Sequence, residues 1–511
     1  MPEGGANVTV RRPPAAADFV AELARFLAGP TPRVLLVKGA PGAGKSSLLR
    51  AVASELTGET VFVAYRALPS PPVGGVMDPT SFDISLLLME RGRGAPPGAE
   101  FASGVPIPFA PVGARGGGGT PAPLQATFER VLASGGGCLV VDSWDRGSEE
   151  EFRRTTSGEV AVTELASTAR ALREQMQHVP LHMLIAIAGT PDDQFESEAD
   201  GIVAFESEEI DGARVRVAHV IKLRGHAPLA PRRPYTLEHG RFYTPPDRGA
   251  GAVPPFGPPD DTPSAAESMI WPGTSEFARA FGWLRPQGLT GIELTDGVPD
   301  RLFEVMAFPI VAATVRDGGR VVWIPPGATP PALLVNALGQ FVPDPPLNSG
   351  LRILSASGHD PALAHAHPVL LPIRRATGGG KDTRTADAPP VAPIFQDAYQ
   401  FLGQTPVGRP SLLVVSLDGL HALASVSGAT YESATLPLIA GAYAALPRFH
   451  GIGFGRVDDP YTQALLPSAD LHLRLRWVHT HPAVFGLRPR TPAHLLDWSG
   501  PDGRLRYVPI V

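Results

Sequence analysis

One stretch of this 511-residue chain concentrates residue types that can hold a chain of phosphates. In VLLVKGAPGAGKSS, residues 34–47, Gly39, Gly44, Lys45 and Ser46 fall at the spacing G-x4-GK-[ST]. Glycines let a backbone wrap a phosphate at van der Waals distance, and the N–H groups of the turn and of a following helix then face its charge. Gly39, Pro41, Gly42, Ala43, Gly44, Lys45, Ser46 and Ser47 are therefore the candidate nucleotide-binding residues. Lys45 is expected to reach the β- and γ-phosphates of ATP, and Ser46 to ligate Mg2+. The plainer reading is a glycine-rich strand-to-helix turn; the full signature in its context favours the nucleotide.

Two further groups could work with that loop. Asp142 closes the apolar run CLVVD, and is expected at the end of a strand beside the loop, holding Mg2+ through water. A strand-end aspartate can also cap a turn. Lys222 and Arg224 alternate with Leu223, which puts two positive charges on one face of a strand. That arrangement needs an anion or a carboxylate to answer it. Of the 44 basic residues only Lys38, Lys45, Lys222 and Lys381 are lysines, so lysine is expected where a compact ammonium is required and a planar guanidinium does not fit.

The elements that must position these groups alternate between strand and helix. An amphipathic helix is expected at 18–28, a strand at 34–38, a helix at 45–56, and strands at 60–67, 138–142, 181–189, 201–206 and 214–223, with a helix at 160–177. A segment of 68–123 is loop-rich, with only 81–90 patterned as structure. The second half repeats the rhythm: strands at 290–294, 320–326, 410–420 and 449–455, and helices at 301–315 and 431–446. Such alternation predicts an α/β fold with mostly parallel sheets. Residues 1–248 make one domain, 249–275 a Pro/Gly-rich linker, and 276–511 a second domain with an insertion at 374–392.

Composition narrows the classes. Hydrophobic residues make up 43% and charged residues 18%, a globular balance, and the 56 glycines and 57 prolines fall short of the roughly 25–30% share of a disordered chain. A net charge of −6 offers no general attraction to nucleic acid or an anionic membrane. No apolar run is long enough to span a bilayer, the first residues lack a signal-peptide core, and the one cysteine, Cys138, rules out an internal disulfide. A cytoplasmic location is the expectation.

The two halves also match in detail. SEADGIVAF (197–205) parallels PSADLHLRL (467–475), and 220–246 parallels 484–510, which marks an internal duplication. The position of the glycine loop is taken in the second copy by Thr295-Asp296-Gly297-Val298-Pro299-Asp300-Arg301. Two carboxylates and no lysine there repel a triphosphate. Ser416 aligns with Asp142, Gly486 with Lys222, and Arg488 with Arg224.

With the loop, VVDSWD, ADGIVAF, KLRG and the tail PYTLEHGRF in place, the chain resembles the RecA/KaiC-like P-loop ATPases, closest to the archaeal gas-vesicle regulator GvpD type. The resemblance implies two tandem RecA-like domains, the C-terminal one degenerate. It also implies a homo-oligomer in which Lys222 and Arg224 act in trans on a neighbour's γ-phosphate. KaiC-like enzymes carry paired glutamates after the second strand, whereas Tyr65, Arg66, Ala67 and Leu68 stand here, and none can act as a carboxylate base. Arg66 is either a phosphate contact or a plain surface residue.

Other candidates carry blander readings. His365/His367 and His479/His481 lack a third metal ligand nearby, Cys138 reads as a small core residue, and Asp145 with Glu149–Glu151 as a solvated helix start. Arg232-Arg233 before Pro234-Tyr235 reads as an exposed strand edge or a basic contact patch. Three functions stay open: an ATP-binding regulator with slow or no hydrolysis that switches a protein partner, such as a transcriptional activator; a DNA-dependent ATPase related to RadA; and a scaffold.

Overall fold

A computed structural model describes residues 18–29, 31–56, 59–64, 85–89, 137–142, 181–187, 193–247, 254–261, 269–356, 369–371, 393–427, 447–500 and 503–511. The chain divides into two compact units, one formed mainly by residues up to Arg248 and the other mainly by Gly249–Ile510. Tyr65–Leu68, Asp145, Glu149–Glu151, His365, His367, Lys381, the helices expected at 160–177 and 431–446, and the insertion at 374–392 lie outside the described residues. So does the 68–123 segment apart from 85–89.

The first unit contains α1 (Phe19–Leu27), β1 (Val34–Gly39), α2 (Lys45–Glu55), β2 (Glu59–Ala64), β3 (Ser85–Met89) and β4 (Gly137–Asp142). It continues with β5 (Leu181–Ile187), α3 (Asp193–Glu198), β6 (Gly201–Ile210), β7 (Ala213–Leu223) and β8 (Arg232–Pro234). The strands lie in the order β3-β2-β4-β5-β1-β6-β7-β8. The strands β2, β4, β5, β1 and β6 run parallel, while β3 and β8 pair antiparallel with their neighbours. β6 and β7 form a hairpin through Asp211-Gly212, both at positive φ as a two-residue turn of this twist requires.

The second unit contains α4 (Ser275–Phe281), β9 (Gly288–Leu294), α5 (Asp300–Arg316), β10 (Arg320–Ile324), α6 (Pro331–Gly339), α7 (Asp344–Gly350) and β11 (Leu351–Ile353). Then come α8 (Pro393–Gly403), β12 (Ser411–Ser416), α9 (Leu417–Ser427), β13 (Phe449–Arg456), α10 (Pro460–Leu465), β14 (Leu471–Val478), β15 (His481–Arg488), β16 (His494–Asp497) and β17 (Arg506–Pro509). Their order is β11-β10-β12-β13-β9-β14-β15-β16-β17, which repeats the order of the first sheet and adds β17 at one edge, although β11 pairs parallel with β10 where β3 pairs antiparallel with β2. Both sheets are mixed and largely parallel, with apolar central strands buried on both faces, so the fold is α/β.

Two expectations change. The strand expected over 410–420 stops at Ser416, because its hydroxyl accepts a hydrogen bond from the Gly419 N–H at 3.1 Å and caps the first turn of α9. The described parts of the 249–275 segment are not a free linker. Phe256 stacks on Phe308 at 4.3 Å, Ile270 bridges to Leu284 and is buried, and Trp271 is buried beside it. Three large apolar side chains outweigh the Pro/Gly composition, since leaving them in water costs about 1.5–3 kcal/mol each.

A buried histidine makes the second unit sensitive to acid. The His450 Nδ1–H donates to the Arg285 carbonyl at 2.7 Å, which leaves Nε2 to accept from the Thr290 hydroxyl at 2.9 Å. Burial pushes the His450 pKa down to about 4. The unfolded chain takes up a proton below about pH 6.5 that the folded unit refuses until about pH 4, so stability is lost as pH falls through that window. Chemical denaturation should show about 2 kcal/mol less stability at pH 5 than at pH 7 from this group. His450→Gln should remove that share of the pH dependence.

Candidate phosphate loop and its degenerate copy

The loop follows directly from the strand that feeds it. β1 is buried through Val37 and pairs with β5 on one side and β6 on the other, so its direction is fixed from both flanks. Residues Ala40–Gly44 then turn into α2, whose first residue is Lys45. Two glycines are required for different reasons. Gly44 stands at φ 92°, and a Cβ there would lie 2.4 Å from Leu237 Cδ2. A Cβ on Gly39 would lie 2.7 Å from that of Phe205 on the neighbouring β6.

Lys45 is only 7% exposed. Its ammonium donates to the carbonyl oxygens of Gly39 and Ala40 at 2.8 and 3.0 Å. A cation inside the bend of a loop at a helix N-terminus is an arrangement that can hold an anion. Ala40, Pro41 and Gly42 are exposed, and Ala43, Gly44, Ser46 and Ser47 are half-buried, so the bend opens to solvent at its tip.

Side chains remote in sequence hold this bend from behind. The Tyr235 hydroxyl donates to the Ala43 carbonyl at 2.6 Å, and the Arg216 guanidinium donates to the Gly42 carbonyl at 3.1 Å. The Ser47 hydroxyl donates to the Gly240 carbonyl at 3.2 Å. Tyr235 stacks on Phe205 and Phe242 with ring centroids 4.8 and 5.0 Å away, and Phe19 meets Phe242 at 6.0 Å. Sequence reading missed Tyr235, Arg216 and Leu237 as parts of the site. The tail PYTLEHGRF was the available signal, because it concentrates aromatics after a β-strand.

β8 is an edge strand, as expected, and Arg232 is half-exposed on it, but Arg233 is not part of an exposed surface. Arg233 is 0% exposed and donates to the carboxylate of Glu22, itself 1% exposed, at 2.7 Å. The other Glu22 oxygen accepts the Leu229 N–H at 3.0 Å. Burial pulls the Arg233 pKa down, against the raising effect of Glu22. This pair fastens α1 to β8, immediately before Tyr235. Arg232 answers Glu206 and Glu208 at 2.7 and 3.3 Å.

Asp142 is buried at the end of β4, but β4 is not the neighbour of β1; β5 lies between them. Val141 pairs with Ile185, which pairs with Leu36, so Asp142 stands level with Val37 two strands away. Two strand spacings amount to about 10 Å.

Lys222 and Arg224 lie at the other end of the sheet. The Arg224 N–H donates to the Asp200 carbonyl, and Asp200 accepts the N–H of Val34, the first residue of β1. The two charges are answered locally. Lys222 donates to the Glu196 and Ser197 carbonyls, both at 3.3 Å. Arg224 donates to the Ser197 carbonyl at 3.4 Å and pairs with Asp200 at 3.2 Å. They cap the last turn of α3 and do not meet the loop of their own chain. Lys38 also meets this helix, through the Glu196 carboxylate.

The second copy keeps the turn and inverts its chemistry. Val298 N–H donates to Thr295 O at 3.2 Å as Ala43 N–H donates to Ala40 O at 3.2 Å, and Gly297 and Gly42 share φ 76°. Asp300 opens α5 where Lys45 opens α2. The Arg456 guanidinium pairs with Asp300, donates to Val298 O at 2.6 Å and reaches Thr295 O at 3.5 Å. The Trp477 indole N–H donates to Gly297 O at 2.9 Å. Burial pushes the Asp300 pKa up, Arg456 pulls it down and Asp418 pushes it up again. This turn is satisfied by the chain's own cation.

Arg488, aligned with Arg224, donates to Pro467 O at 3.3 Å as Arg224 donates to Ser197 O. Asp470 accepts the Leu289 N–H at 2.9 Å as Asp200 accepts that of Val34 at 3.0 Å. Arg224 therefore has a supporting role that the copy retains without an intact loop, whereas Lys222 has become Gly486. Among the other candidates, His479 sits in the hairpin turn at φ 53° and His481 is buried at the start of β15. Cys138 is buried in β4, and burial pushes its thiol pKa up. Among the described residues no cluster of His, Cys, Asp or Glu could hold a metal, and no helix is long and apolar enough to cross a membrane.

The fold and the loop define an α/β protein with a strand–glycine turn–helix bend on its first sheet. Compared with protein-family models and with curated proteins, the chain matches none.

The buried ion pair gives a direct test of how the loop is supported. Glu22→Ala should cost about 3–5 kcal/mol in the unfolding of the first unit, because it leaves Arg233 buried without its carboxylate. Denaturant titration followed by far-UV circular dichroism checks the loss.

Proposed function

We propose that the first unit binds ATP with Mg2+ and acts as a regulatory switch, and that the second unit is a degenerate RecA-like copy that binds no nucleotide. The carrying observation is the Lys45 ammonium held inside a bend that ends at a helix N-terminus. A triphosphate entering that bend offers the ammonium better acceptors than two carbonyl oxygens, and meets the N–H groups at the start of α2. Ser46 would hold the magnesium directly, and Asp142, buried at the end of β4, through water. The ion would neutralise phosphate charge.

Slow or absent hydrolysis follows from the sequence after β2, where Tyr65, Arg66, Ala67 and Leu68 supply no carboxylate base. The occupied state would change contact with a protein partner, by likeness to the gas-vesicle regulators a transcriptional activator. A homo-oligomer belongs to the same reading. Lys222, lost where the loop is degenerate, is a better finger toward a neighbour's phosphate than Arg224, which keeps its structural bond in both copies.

Calorimetry should find one ATP per chain, lost in Lys45→Ala, and steady-state turnover below about one per second. Two sites per chain would overturn the degenerate copy. Turnover well above that rate, abolished in Lys45→Ala, would overturn the switch, and stimulation by single-stranded DNA would point to the recombination ATPase. Particle mass should rise with ATP-Mg2+. Any residual turnover should recover when Lys45→Ala and Lys222→Ala chains are mixed; demonstrated mixed oligomers without recovery would sink the action in trans.

A further inference from the structure

The same two carbonyl oxygens are clamped in both copies by unrelated side chains. Gly42 O and Ala43 O accept from Arg216 and Tyr235 at 3.1 and 2.6 Å; Gly297 O and Val298 O accept from Trp477 and Arg456 at 2.9 and 2.6 Å. A planar trans peptide points its C=O and N–H in opposite directions. Holding the Ala43 carbonyl on Tyr235 therefore fixes the direction of the Gly44 N–H, away from the phenol. In the first unit the clamp on this peptide is a neutral hydroxyl that leaves the bend to Lys45. In the second, a charged guanidinium serves both as the clamp and as the partner of Asp300.

We propose that Tyr235 is a positioning residue that presets the Ala43–Gly44 peptide to donate to a bound phosphate chain. The phenol touches the loop and not the ligand. Its ring is fixed by the stack on Phe205 and Phe242, and Leu237, two residues on, closes against Gly44. Without the hydroxyl the peptide can rotate, and its carbonyl can face the phosphate instead of its N–H. The loss concerns the phosphates alone, so it is independent of base and ribose. The inference rests on the reading of this loop as a phosphate site.

The test uses the full-length chain and two probes, ATP-Mg2+ and inorganic tripolyphosphate with Mg2+, in calorimetry. Tyr235→Phe keeps the ring and removes the hydroxyl; Phe242→Leu disturbs the stack and keeps the hydroxyl. Tyr235→Phe should weaken both probes by about tenfold, the effect of one hydrogen bond to a charged group, with little change in the melting temperature of the unliganded chain. Phe242→Leu should lower the melting temperature and weaken tripolyphosphate by clearly less. Unchanged tripolyphosphate affinity in Tyr235→Phe, with wild type binding, overturns the positioning role and leaves the phosphate reading intact. So does an equal loss in both variants, which marks general loosening. A wild type that binds neither probe overturns both.

Discussion

A bend that is to receive an anion must turn N–H groups toward the hollow, and a peptide keeps that direction only while its carbonyl oxygen is held on the opposite side. In this chain Tyr235 and Arg216 hold Ala43 O and Gly42 O in place. The phenol is fixed in turn by the stack of Phe205, Phe242 and Phe19, and that stack depends on the way α1 is fastened to β8. The fastening is the buried pair of Glu22 and Arg233. A helix at the start of the first unit thus supports a loop through a strand near that unit's end. Buried ion pairs of this kind contribute little net stability, yet losing one partner costs several kcal/mol, so the pair specifies a geometry more than it strengthens a fold.

The second unit shows what the scaffold requires and what the chemistry requires. Strand order, the positive φ of Gly297, the 3.2 Å bond across the turn and the clamped carbonyls are shared with the first unit. These belong to the turn itself. Lys45 has become Asp300, and Arg456 meets the carboxylate and the carbonyls. Charge inverted at one position was answered by charge from a neighbouring strand, and the backbone kept its shape. The comparison separates Lys222 from Arg224 on the same logic: one is lost with the loop, while the other keeps its bond to the end of the preceding helical segment.

Much of the fold was legible because buried parallel strands read as short apolar runs bounded by turns. CLVVD falls within a residue of its strand, and the described part of LHMLIAIAG, residues 181–187, is strand throughout. The misreadings have local causes. PSLLVVSLDGL continues apolar past Ser416, and the hydroxyl that ends the strand is a capping group whose role depends on the next turn. Residues 249–275 carry the composition of a linker, but Phe256, Ile270 and Trp271 had a core to enter. Arg233 was read with Arg232 as part of a surface edge because a fully buried arginine is rare, and its partner lies 211 residues earlier.

The sequence by itself determined where the bend would be: glycines at 39, 42 and 44 and a lysine opening the helix are local features, and local spacing dictates them. It also determined that the second bend would carry two aspartates and no lysine. Only the tertiary structure decided how the first bend is held and which way the paired charges face. Tyr235 meets Ala43 across 192 residues, and Lys222 and Arg224 lie at the end of β7, turned toward a helix terminus rather than the loop. The periodicity of a strand tells which face a side chain takes. Where along that face it finds a partner is set by the order in which strands are laid side by side.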